Sequence, residues 1–463
     1  MRKDEMNYSA IIARQREFFH SGATRSQDFR RAQLQKLAGL LETREAELLA
    51  ALHADLRKSP HEAYVSEIGF VLGEIRHALR HLPSWMKPER RRSPMLAWPA
   101  CSRIHPEPYG VALIIGPWNY PLQLLLSPLV GAIAAGNCAI LKPSEFAPHT
   151  AAVLDDMIRP AFAENYLTII RGERKISEAL LREKFDTIFF TGGTETGRAV
   201  MAAAARHLTP VTLELGGKCP CIVCHDAPVD ITARRIVWGK FMNAGQTCVA
   251  PDHVWVDARI APALLEAMKN TLRGFYGNFP HASNDYGRIV NHRHFQRLTD
   301  YLKDANIACG GESDPADLYL APTILTECSW DSPVMTREIF GPVLPVMEFS
   351  DLGEVLAKLR DRPTPLAVYL FTRDAALQER VISNTQSGGV CINDTILQIL
   401  GNDLPFGGVG ESGMGNYHGR ASFDCFSHQR TVLRRPLTVD PGFRYPPPGV
   451  SLKWLKRLLR FLG

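Results

Sequence analysis

Apolar and polar positions change rhythm along this chain, and each change marks a step in its organisation. Over residues 1–83 charged and apolar residues alternate at helical spacing with few Pro or Gly, which predicts a succession of amphipathic helices. The stretch HLPSWMKPERRRSPMLAWPA (81–100) is Pro-rich and basic and reads as a connector or an extended arm. From Gly110 short apolar runs alternate with helical stretches. VALIIG (111–116), CAILK (138–142), YLTII (166–170), DTIFF (186–190) and VTLEL (211–215) read as buried strands. LQLLLSPLVGAIAAG (122–136) and GRAVMAAAARHL (197–208) read as helices between them. Such alternation predicts a parallel sheet covered by helices, an architecture that binds nucleotides outside the carboxyl ends of its strands.

The alternation restarts after PCIVC (220–224). ARRIVWGKFMNAG (233–245) and ALLEAMKNTLRGF (263–275) carry helical patterns, while VWV (254–256), LAVYLF (366–371) and GGVCIN (388–393) read as strands. Two α/β lobes joined near residue 217 are therefore expected. Tyr109 to Leu141 contains no charged residue, yet Gly116-Pro117, Pro121 and Pro128 cut it into pieces too short to span a bilayer as one helix. The tail VSLKWLKRLLRFLG repeats Leu452, Leu455, Leu458, Leu459 and Leu462 at helical spacing against Lys453, Lys456, Arg457 and Arg460. A basic amphipathic helix of this kind can lie on an anionic membrane surface or dock on protein near the substrate entrance.

Composition narrows the class. The 463 residues are 45% hydrophobic and 22% charged, as in ordinary globular proteins, and exceed the size of a single typical domain. Net charge is only +5, with no basic stripe of the kind nucleic-acid binders carry. Ten cysteines are too dilute for a disulfide scaffold, and the first residues lack the apolar core of a signal peptide, so a reducing cytoplasm is the expected location.

Candidate chemistry comes next. Gly408-Val-Gly410-Glu-Ser-Gly413 matches a dinucleotide fingerprint in letters only, because no strand precedes it and no βαβ unit follows, so it reads as a glycine-rich turn. In DTIFFTGGTETGRAV a strand runs into Gly192, and Gly197 opens the next helix. That turn suits a phosphate at a helix N-terminus, or a helix cap with no ligand. Lys142 and Glu145 of ILKPSE end another strand, as ribose ligands or as a surface ion pair. Glu214 closes the apolar run of VTLELGGK, where desolvation would raise its pKa toward that of a general base; a paired structural Glu fits equally. Asn119 of GPWNYP follows a buried strand, as an oxyanion donor or a turn residue. Cys248 of FMNAGQTCVAPD is a nucleophile or a buried thiol. Cys219, Cys221 and Cys224 sit on a predicted strand with alternating faces and no fourth ligand, so no metal is expected.

The order of these signals is more specific than any one of them. PWNYP, LKPSE, FTGGTETG, LELGGK, NAGQTCVAPD, EIFGP and PFGGVGESGMG occur in the order and approximate spacing of the aldehyde dehydrogenase superfamily, and TPVTLELGGK and YHGRASFDCFSHQR resemble its class 3 branch, which includes fatty aldehyde dehydrogenases. The resemblance covers nearly the whole chain to about residue 435.

It implies an α/β fold with a Rossmann-like parallel-sheet cofactor domain (1–85 and 108–216), a second α/β catalytic domain (217–414) and a small bridging, oligomerisation element (86–107 and 415–440), followed by the basic tail at 441–463. By the same resemblance Cys248 is the nucleophile, Glu214 the general base and Asn119 the oxyanion donor. Lys142 and Glu145 would hold the adenosine ribose, Gly192 and Gly197 the pyrophosphate, and Glu338 and Phe340 the nicotinamide ribose and ring.

The implied reaction is NAD(P)-dependent oxidation of an aldehyde to an acid through a cysteine-bound thioester. NAD is the expected cofactor, since Glu145 would repel a 2′-phosphate, with NADP also accepted in class 3 relatives. Tyr120, Leu124, Trp238, Thr395, Ile396 and Phe406 are expected to wall an apolar pocket for medium-chain aliphatic or aromatic aldehydes. A homodimer is implied, and no nucleic-acid partner. Glu214 argues against a CoA-acylating relative, and the presence of all three catalytic residues argues against a non-catalytic binding protein. Cys219 stands where serine is usual, with no evident catalytic consequence, and His253 where related enzymes tend to carry an aromatic.

Overall fold

The computed structural model describes residues 7–440, 445–447 and 449–462. Of the helical stretch expected at the N-terminus, residues 1–6 lie outside the described residues; helices fill most of the rest, from Tyr8–His20 to Gly69–Trp85. They are interrupted by one π-helical turn, Tyr64–Ile68. Apolar positions such as Leu34, Leu37 and Leu41 face inward and are fully buried, as the helical spacing requires.

The expected strands assemble into two sheets. The first has six strands in the order Gly413–Met414, Val211–Glu214, Thr187–Thr191, Val111–Ile115, Cys138–Lys142, Leu167–Ile169. All its pairings are parallel except that of the short 413–414 edge. Strands Val111–Ile115, Cys138–Lys142 and Thr187–Thr191 are buried at every position, because helices cover both faces. Their ends are in register: Ile115 pairs with Lys142 and Thr191 with Glu214, so these carboxyl ends share one edge. From Val111–Ile115 the chain builds outward on one side and then returns to the other. That reversal makes a topological switch point, where a crevice opens.

The second sheet has seven strands, parallel except for Asn306–Cys309 at one edge. Its two faces feed separate cores: Cys221 and Val223 pack on one, Ile222 and Cys224 on the other. The three neighbouring cysteines are thus split between faces, and among the described residues no cluster suited to a metal ion occurs. A third sheet joins Glu89–Arg91, Cys101–Pro108 and Ser427–Arg434, drawing the Pro-rich arm to the late segment in an eight-residue strand.

Some boundaries differ from the periodicity. The helix expected at 197–208 spans Thr194–Ala205, with Gly193 as its N-cap. The Gly408–Gly413 run is the turn expected, and its last residue pairs with Glu214, bracing that strand. Leu452–Leu462 is helical and exposes Leu452, Trp454 and Leu459; residues 441–444, 448 and 463 of the tail lie outside the described residues. Among the described residues no helix is long and apolar enough to cross a membrane.

Candidate active site

The loop carrying Cys248 is where local periodicity misleads most. Helical spacing runs through Gly245, but the helix stops at Phe241. Asn243 and Ala244 take left-handed φ values of 51° and 50°, and Gly245 follows at 72°. Left-handed residues other than glycine cost on the order of 1 kcal/mol or more each, so contacts must hold them. Asn243 Nδ2 donates to the backbone carbonyls of Asn119 (2.8 Å) and Gln246 (3.3 Å). Gln246 Nε2 donates to the carbonyls of Asn243 (3.0 Å) and Arg288 (2.9 Å), and its Oε1 accepts from the Val290 amide (3.0 Å). Gly245 has no substitute: a Cβ there would stand 2.3 Å from the Gly341 carbonyl oxygen. These bonds lift Cys248 out of the helix and turn it into the crevice.

A cavity of about 300 Å³ gathers Asn119, Leu124, Gly192, Glu214, Cys248, Glu338 and Phe340, with Trp118 and His294 among its other walls. Asn119 is buried, and its Nδ2 gives one proton to the Gln246 carbonyl at 3.0 Å, leaving a second N–H. Glu214 is buried with neither carboxylate oxygen hydrogen-bonded, and burial raises its pKa well above the usual carboxylate range. Burial, helped by Glu338 and Glu214, pushes the Cys248 thiol up to about 12, while the backbone N–H groups of Cys248 and Val249 pull it down. Burial pushes Glu338 up to about 8, against the Gly217 amide that donates to it at 3.1 Å. Phe340, at φ 47°, sets its ring edge-on to Trp118 with centroids 5.4 Å apart.

The residues expected to contact a cofactor are spread along the crevice. Lys142 is buried and donates to the Pro143 carbonyl (2.7 Å), with Glu145 at 3.7 Å, so the pair is not a surface ion pair. Glu145 lines a second cleft of about 280 Å³ with Ser144, Arg171 and Gly172. Gly192 and Gly193 follow the strand Thr187–Thr191 and line the Cys248 cavity itself. Gly193 begins its helix with no side-chain cap, and a Cβ there would meet nothing within 4 Å. Gly197 lies inside that helix, where a Cβ would strike Leu215 at 2.7 Å, so its glycine answers to protein packing rather than to a ligand. An uncapped helix start, open backbone, a buried ammonium beside a carboxylate and an aromatic ring near the thiol fit a dinucleotide.

Of the expected pocket walls, only Leu124 lines the Cys248 cavity. Tyr120 is buried with its hydroxyl 2.6 Å from Thr247 Oγ1. Thr395 donates to the Arg235 carbonyl at 2.8 Å, and Ile396 packs into the core beside it. Trp238, on the helix ahead of Cys248, is 38% exposed. Phe406 is held edge-on to Tyr417, centroids 5.8 Å apart, between the two lobes' cores.

Several contributors had no role assigned from the sequence. His294 lies tilted against Trp118 with centroids 5.3 Å apart, and burial lowers its pKa to about 4, so it presents a neutral ring. Cys219 donates through Sγ to the Cys248 carbonyl at 3.4 Å and accepts from the Ala367 amide at 3.3 Å, a strut under Cys248. His253 is buried edge-on to Trp330, filling an aromatic slot. Lys58 and Glu67 pair behind the Asn119 loop; their spacing matches neither strand nor helix period, so nothing local points to them.

A model of the aldehyde dehydrogenase family matches residues 1–432. The chain is 47% identical over 451 residues to aldehyde dehydrogenase family 3 member A2 of Mus musculus, covering 97% of this chain and 93% of that one. It is 46% identical over 442 residues to the Canis lupus familiaris protein named aldehyde dehydrogenase, dimeric NADP-preferring, covering 95% and 97%. The solved substrate-bound state of Staphylococcus aureus AldH superposes with a TM-score of 0.95 at 43% identity, covering 97% of this chain and 99% of that one.

Proposed function

The chain belongs to the aldehyde dehydrogenase family, enzymes that oxidise aldehydes to acids with NAD(P), and on that premise we propose how its residues divide the reaction. The observation that carries the reading is the convergence of Cys248, Asn119 and an unpartnered Glu214 on one cavity. Cys248 loses its proton and its sulfur attacks the aldehyde carbon. A carboxylate stripped of hydrogen-bond partners is a strong base, which suits Glu214 to the later hydrolysis, so the thiol proton is released to solvent. The carbonyl oxygen becomes an oxyanion, received by the second Asn119 N–H and the Cys248 amide.

Lys142 and Glu145 would hold the adenosine end of the cofactor, the Gly192–Gly193 turn its pyrophosphate, and Glu338 and Phe340 its nicotinamide end. When bound, the nicotinamide supplies the hydride acceptor that leaves an acyl thioester on Cys248. Glu214 then deprotonates a water, which cleaves the thioester and releases the acid. Reduced-cofactor absorbance with a medium-chain aldehyde, with and without CoA, tests this reading. Turnover without CoA is expected, and its abolition in Cys248→Ser with cofactor binding retained; CoA-dependent turnover would sink it.

The finer preferences rest on side chains. Glu145 beside Lys142 disfavours a 2′-phosphate, so NAD is preferred and NADP accepted; Glu145→Gln should narrow the kcat/KM gap between them. The apolar walls Leu124 and Trp118 favour medium-chain aliphatic or aromatic aldehydes. Residues 1–85 with 108–216, and 217–414, act as cofactor and catalytic domains, and 86–107 with 415–440 bridge a homodimer; light scattering would show a monomer if that is wrong. The enzyme is cytoplasmic, with the exposed Leu452 and Leu459 of the basic tail touching anionic membrane. Vesicle co-sedimentation equal to that of a chain ending at Pro448 would remove the membrane contact.

A further inference from the structure

The Asn119 loop has to be held rigid, because an oxyanion donor acts through its position. Its own sequence supplies little. The buried helix Gln123–Ala135 begins at Leu122 with no local side chain capping it. A remote carboxylate does so: Glu67 Oε2 accepts from the amides of Leu122 (2.9 Å) and Gln123 (3.0 Å). Its other oxygen takes the Lys58 ammonium at 2.5 Å, and both side chains are fully buried. Lys58 then donates to the Asn119 carbonyl at 2.9 Å and lies over the Tyr120 ring, 3.9 Å from its centroid. The same Asn119 carbonyl also accepts from Asn243 of the nucleophile loop. Glu67 sits on the single π-helical turn of the N-terminal helices, a local irregularity that recurs at functional sites.

We propose that Lys58 and Glu67 are positioning residues for catalysis: a buried ion pair that caps the helix after Asn119 and aims the Asn119 amide at the oxyanion. The proposal rests on the reading of Asn119 as oxyanion donor. The pair touches neither substrate nor cofactor, so its loss slows turnover without weakening the binding of either.

Lys58→Met, Lys58→Met/Glu67→Gln, Asn119→Ala and Lys58→Met/Asn119→Ala separate the alternatives, each assayed for kcat, both KM values and melting temperature. Lys58→Met strands a buried carboxylate and is expected to melt early; the double neutral variant keeps the acceptor for the two amides and regains the melting temperature. Both are expected to lose kcat by about tenfold or more with each KM within about twofold, against the roughly 10²–10³-fold typical of deleting an oxyanion donor outright. Because Lys58 acts through Asn119, adding Lys58→Met to Asn119→Ala should cost less than about twofold more. Recovery of kcat together with melting temperature in the double neutral variant, or multiplying losses in Lys58→Met/Asn119→Ala, would overturn the proposal. Wild-type turnover in Asn119→Ala would instead remove the oxyanion assignment beneath it, and the proposal with it.

Discussion

Two buried acids in this protein are treated in opposite ways. Glu67 has every oxygen committed, one to an ammonium and one to two backbone amides. Glu214 lies as deep with neither oxygen hydrogen-bonded. Burial raises the pKa of both, but only Glu67 has Lys58 and the amides pulling back. A satisfied buried charge is fixed in place and inert; an unsatisfied one is costly and avid for a proton. The fold spends its order on the first so that the second can stay reactive.

The strongest way to break this contrast is to remove the orphan. Glu214→Gln should lower steady-state kcat by about 10²–10⁴-fold, the usual worth of a general base. Rapid mixing should still show a burst of reduced cofactor if hydride loss survives and only thioester hydrolysis fails; a normal steady state would end the assignment.

Stability should run the other way. Glu67→Ala strands Lys58 and should cost about 3–5 kcal/mol in urea unfolding, as does breaking other buried pairs. Glu214→Gln should cost nothing measurable by the same method. The pH dependence sharpens the point. With its pKa raised, native Glu214 keeps a proton that the unfolded chain releases, so it costs stability as pH climbs above the ordinary carboxylate range. Melting temperatures of Glu214→Gln should therefore fall less between mildly acidic and alkaline pH than those of the wild type.

A smaller effect concerns the thiol. Burial comes first in raising Cys248, and Glu338 next. Above about pH 8, where Glu338 carries charge, Glu338→Gln should speed iodoacetamide alkylation of Cys248 severalfold, read by mass spectrometry. Smallest of all, Cys219→Ser keeps a donor under the Cys248 carbonyl and should leave kcat within about twofold, whereas Cys219→Val removes it and should cost more.

Glu214, Lys142 and Asn119 were legible because each closes or follows an apolar run, and strand ends line the crevice of a parallel sheet. Their roles came from the resemblance, since a carboxylate after a strand is equally a structural acid. The helix boundary at Phe241 was not legible: Asn243, Ala244 and Gly245 keep helical spacing, and contacts from Asn119, Arg288 and Gly341 override it. Trp238, Thr395 and Ile396 were expected as walls of an apolar pocket. The chain instead commits Thr395 to Arg235 and leaves Trp238 partly exposed.

The sequence by itself determined the strands that edge the crevice and most of the helices, because side chains alternate every second residue in one and recur every 3.6 in the other. It also determined which reactive groups sit at strand ends. Only the tertiary structure decided which acid is paired and which is bare. Lys58, Glu67 and Asn119 meet across the fold, and the energy of a buried charge depends on neighbours that no local period records.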